Sequence, residues 1–100
     1  MSSVELTCED FEPHVGTDFI RPADHIAPEM RFRLIAARPL AKAPRPGMRD
    51  QFQLSFLVDT QENWGQGTCR LIHPVMGEQD IFLVAAAQTE DGVEYCATFT

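Results

Sequence analysis

The sequence predicts an all-β, mainly antiparallel fold of about six strands in a small barrel or sandwich, with one short N-terminal helix. Three observations carry this. Segments of five to eight residues alternate apolar and polar side chains, as in Phe52-Gln53-Leu54-Ser55-Phe56. Gly, Pro and an Asp-Gly pair punctuate them. Every connection is too short for the helical crossover that parallel strands need. At 100 residues the chain fits a single domain, residues 1–100, around one core.

The helix is expected over residues 7–15. Thr7 stands at the cap, Asp10 follows three residues on where a capping-box acid belongs, and Leu6 and Phe11 take the staple positions. Glu9, Asp10 and Glu12 suit the positive end of the helix dipole, while Pro13 and Gly16 limit its length. A short strand near 17–21 leads into a second near 30–38, where Phe32, Leu34 and Ala36 alternate with Arg31, Arg33 and Ile35. A basic Pro-rich loop, 38–50, connects it to a third near 51–58, and these two are expected to pair as a hairpin. Residues 67–72 form a fourth, with Cys69 and Leu71 facing inward. The apolar run Ile81–Ala87 lies in a fifth near 79–87, expected to be central and buried on both faces. Glu90-Asp91-Gly92 turns into a sixth near 93–99, with Tyr95, Ala97 and Phe99 on one face. Sequential antiparallel pairing is the economical topology, and a sheet with one apolar face must close or pack against something.

A net charge of −7 is unevenly spread. Residues 1–20 and 71–100 each carry five acidic and no basic side chains, whereas 21–70 hold all eight basic residues against five acids. An extended nucleic-acid surface is therefore excluded. Within that middle, Arg38, Lys42, Arg45 and Arg49 form an acid-free run through Pro39, Pro44, Pro46 and Gly47, the best candidate for an exposed contact surface. Trp64, before the Gly65-Gln66-Gly67 turn, is a second contact candidate. The start of the chain lacks a basic, apolar leader, and the longest apolar run is strand-sized, so a cytoplasmic protein without a membrane span is expected.

Chemistry is sparsely signalled. Cys8, Cys69 and Cys96 form no C-x-x-C pair, and His14, His25 and His73 form no ligand-spaced pair, so neither disulfides, a metal nor a cofactor is expected. Cys69 and Cys96 read as strand-packed thiols. Cys8, at a helix start but beside three acids, is expected to be mildly oxidation-sensitive. Gly65-Gln66-Gly67 lacks the third glycine and following helix of a phosphate loop. His73-Pro74 is the one place where a small-ligand or hydrolytic site could assemble, with Cys69, Arg70 or Glu78; the plainer reading is a turn histidine bonded locally.

The runs Phe52-Gln53-Leu54-Ser55-Phe56, Gln66-Gly67-Thr68-Cys69-Arg70-Leu71-Ile72-His73-Pro74-Val75-Met76-Gly77, Ile81-Phe82-Leu83-Val84 and Asp91-Gly92-Val93-Glu94-Tyr95-Cys96-Ala97-Thr98-Phe99 resemble a family of small uncharacterised bacterial domains of about 100 residues. Their shared pattern is F-x-L-x-F, Q-G-x-Y-R-L-x-H-P, L-G, F-L-V-P and Y-x-A-x-F. Here Cys69 replaces the usual Tyr, Met76 a frequent Leu, and Ala85 a common Pro. The resemblance takes in the opening segment as well and so covers nearly the whole chain. It implies association with phage-tail-like collar or fibre proteins and no transferable activity.

Residues and resemblance together lead to one expectation: a non-enzymatic structural or protein-interaction module, with a protein partner or a second copy of itself and no nucleic acid, membrane or metal. The contacts are expected from exposed strand edges and the basic loop. The alternative is a small-ligand-binding or hydrolytic barrel around His73.

Overall fold

A computed structural model describes residues 7–25, 28–41, 51–60 and 65–99. Helix α1 spans Cys8–Phe11 and passes into a 3-10 turn at Glu12–His14. The strands follow as β1 (Asp18–Arg21), β2 (Met30–Ala41), β3 (Gln51–Val58), β4 (Gln66–His73), β5 (Gly77–Thr89) and β6 (Gly92–Phe99). Among the described residues, no helix is long and apolar enough to cross a membrane.

The helix is shorter than the expected 7–15, because Pro13 offers no N–H and the ladder tightens before it. Its cap is formed as expected at Thr7, whose N–H donates to the Asp10 carboxylate at 2.7 Å. Leu6, the other staple residue, lies outside the described residues. The 3-10 turn ends where Gly16, at φ +94°, turns the chain into β1 and donates its N–H to the Leu34 carbonyl.

All six strands pair antiparallel in a closed barrel of order β1-β2-β3-β6-β5-β4, with β4 returning to β1. The expected sequential pairing is corrected here: β2 and β3 do pair, but β3 then pairs with β6, and β4 with β5 and β1. Two three-strand meanders, β1–β3 and β4–β6, are thus joined along two seams. One seam is long, with seven registered pairs from Phe52↔Phe99 to Val58↔Val93. The other has a single registered pair, Ile20↔Ile72. Closure removes the fully open edges on which strand-addition contacts were expected. Among the described residues, overhangs remain where β2 runs past β1, where β5 runs past β4, and along β4, which registers with β1 at Ile72 alone.

Inward positions build the core. Phe19, Phe32, Leu34, Leu54, Phe56, Leu71, Ile81, Leu83, Val93 and Tyr95 are all at most 3% exposed. Phe11 plugs the end of the barrel nearest α1, with ring centroids 5.9 Å from both Phe52 and Phe99, which themselves stack at 4.5 Å. Strand β5 departs from the expectation of burial on both faces. In a barrel each strand has one inner face, so Ile81 and Leu83 point in while Phe82 and Val84 are 52% and 39% exposed.

Candidate functional site

The two ends of the barrel differ. At the helix end, His73 is 3% exposed and held by local partners. Its Nδ1 accepts the backbone N–H groups of Val75 at 3.1 Å and Met76 at 3.3 Å. That leaves the ring proton on Nε2, which donates to the Thr17 hydroxyl at 3.0 Å, and Thr17 donates in turn to the His14 carbonyl at 2.6 Å. The rings of His14 and Phe19 lie 4.6 and 4.5 Å away. Burial, and then the neighbouring His14, hold the His73 pKa below its ordinary value. The ring fastens the Pro74–Met76 turn to the segment entering β1.

The other sequence candidates do not converge on it. Cys69 shares the inner face of β4 with His73 but sits four residues away, roughly 13 Å at the rise of a strand. Arg70 points outward and pairs with the cross-strand Asp80 at 3.1 Å. Glu78 is exposed opposite Ile72. Arg38 is also exposed, but it lies within β2 opposite Gln53 and not in the loop, since the strand continues through Pro39 to Ala41. Lys42, Arg45, Arg49 and Trp64 lie outside the described residues. Cys8 is buried, and desolvation followed by the Glu12 charge pushes its pKa up, which disfavours the thiolate.

Two surface features were not read from the sequence. The first is the open end, where a cavity of about 160 Å³ lies between Met30 and Phe32 of β2, Cys69 of β4, Leu83 of β5 and Tyr95 of β6, with Arg21 at its rim. Period two puts each of these apolar residues inside. Only the strand registers bring them to one level. Arg21 is oriented by Asp24, at 3.1 Å, and by the Pro28 carbonyl, at 3.4 Å. Among the described residues, no three His, Cys, Asp or Glu side chains gather to hold a metal ion.

The second is an uncharged outer flank. Ala36, Ser55, Cys96, Val84 and Gln66 are successive register partners across β2, β3, β6, β5 and β4. Beside that row lie Gln53↔Thr98 and Thr68↔Phe82. Arg38, Glu94 and the Arg70–Asp80 pair mark its margins. The hidden signal was the β5 run itself: an apolar stretch longer than one face requires sends alternate apolar residues to the outside of a barrel.

Fold and surface together define a class: a small closed six-stranded antiparallel β-barrel with a helix-plugged end and, among the described residues, an open mouth and one uncharged flank. More particularly, the chain belongs to the family described as domain of unknown function DUF6916, whose sequence profile matches residues 6–99. No curated protein and no solved structure matches the chain.

Proposed function

We propose that the domain is a non-enzymatic structural or protein-interaction module and that its contact surface is the uncharged flank centred on β5. The observation that carries this reading is Phe82. Of seven phenylalanines, six pack into or against the core, and Phe82 alone stands 52% exposed, beside Val84 on the same face. A large aromatic outside the core, set among uncharged Ser55, Cys96, Thr68 and Gln66, has the composition of an interface centre with a polar surround. Arg38 stands at the margin, and the sequence that follows β2 carries Lys42, Arg45 and Arg49 without an acid, a charge suited to an acidic partner. The resemblance to domains accompanying phage-tail-like proteins suggests the kind of assembly.

The test compares the wild type with Phe82→Ser/Val84→Thr and, separately, with Arg38, Lys42, Arg45 and Arg49 all changed to Ser. Sedimentation velocity reads self-association, and pull-down from cells of the native source reads a different partner. The flank variant should lose the partner, or the self-association, at an unchanged melting temperature, and the basic variant should weaken it in a salt-dependent way. Undiminished association in the flank variant would overturn the reading.

A further inference from the structure

We propose that the open mouth of the barrel is a binding site for a small aromatic monocarboxylate, with its ring in the cavity and its carboxylate on Arg21. The proposal is independent of the outer flank.

Gly67 carries the argument. It lies on β4 in the same alternation as Cys69, Leu71 and His73, which places it on the inner face opposite Leu83. A glycine inside a strand ordinarily answers a need for positive φ or for a close approach of other backbone. Gly67 has neither: its φ is not positive, and a Cβ added to it would meet nothing within 4 Å among the described residues. Its effect is to leave open the space that an inward side chain would fill, and that space is part of the cavity. The opposite end is closed by Phe11 packed on Phe52 and Phe99. Among the described residues, the mouth has no equivalent plug.

Size and lining select the ligand. The volume of about 160 Å³ matches that of an apolar protein cavity able to hold a benzene ring, which is about 150 Å³. Met30, Phe32 and Leu83 supply aliphatic and aromatic walls. At the rim, the Arg21 guanidinium commits two of its five N–H donors to Asp24 and Pro28 among the described residues. Those two contacts hold the group in place, and the planar fork matches a carboxylate. Asp24 beside it disfavours a doubly charged phosphate, so a single negative charge fits best.

The experiment titrates the full chain with benzoate, using benzyl alcohol and benzylamine as neutral and cationic comparators. It follows the Met30 and Leu83 methyl and the Tyr95 ring resonances by NMR. Benzoate should shift these signals saturably and bind at least tenfold tighter than either comparator. Arg21→Gln should remove that preference for the anion. Gly67→Val, a strand-favouring change into open space, should abolish binding with the melting temperature kept or raised, and Cys69→Leu provides a second filled mouth. Absence of saturable shifts, equal binding of all three probes, an unaltered preference in Arg21→Gln, or wild-type affinity in a folded filled variant would each overturn the site.

Discussion

His73 is where sequence and structure meet most tightly at a single residue. A histidine before proline reads more plainly as a turn lock than as a base, and what decides is the partners of its two nitrogens. Thr17 lies 56 residues away, and no local pattern could bring it to Nε2. Because Nδ1 receives two backbone N–H groups, protonating it would set a third donor against them. The folded pKa is depressed, so the unfolded chain takes up a proton first. The ring's contribution to stability is therefore complete above the unfolded value of about 6.5, declines as pH falls through it, and levels off below the folded value. His73→Asn keeps an acceptor for the turn but cannot titrate. Urea unfolding between pH 7.5 and 5 should show a smaller loss of stability in this variant than in the wild type, and equal slopes would exclude His73 as the source.

Among the elements, strands were legible wherever alternation was strict, as in β3, whose burial pattern alternates along its whole length. Legibility failed where two physical tendencies share one sequence sign. Pro39 suggested a loop, yet a strand running beyond its neighbour tolerates proline because it has no ladder partner on that side, and β2 continues through Arg38 to Ala41. Seven apolar residues in β5 suggested double burial, where a barrel has one inner face and the surplus goes outside. The β5–β6 hairpin shows a tighter constraint. Gly92 has φ +137°, and an added Cβ would overlap the Val58 carbonyl on the adjoining strand. Gly92→Ala should cost about 3 kcal/mol through strain and displacement of β3, read as a lowered urea midpoint. A loss within about 0.5 kcal/mol would mean that β3 yields readily at Val58.

For the whole molecule, all-β architecture followed from period and turn chemistry, but strand order did not. Short connections favour sequential neighbours. Here the seam between β3 and β6 instead matches Phe52 with Phe99, and Phe56 with Tyr95, so aromatic residues distant in sequence share one core. The open mouth was invisible for the same reason: Met30, Cys69, Leu83 and Tyr95 are separated along the chain and share a level only after closure. By contrast, the outer flank was within reach, since Phe82 and Val84 alternate with Ile81 and Leu83 in plain sequence.

The thin seam has a mechanical meaning. With one registered pair at Ile20↔Ile72 against seven between β3 and β6, the barrel is a rolled sheet whose closing seam is laddered at one pair. Native-state hydrogen exchange should find the amides of β1 and the facing side of β4 opening well below the global unfolding free energy, while β3 and β6 exchange only with it. Uniform protection around the ring would refute a weaker closing seam. Arg21 and Cys69 stand on the two strands it joins. A barrel able to part there, without unfolding its long seam, has a built-in way to vary the width of its own mouth.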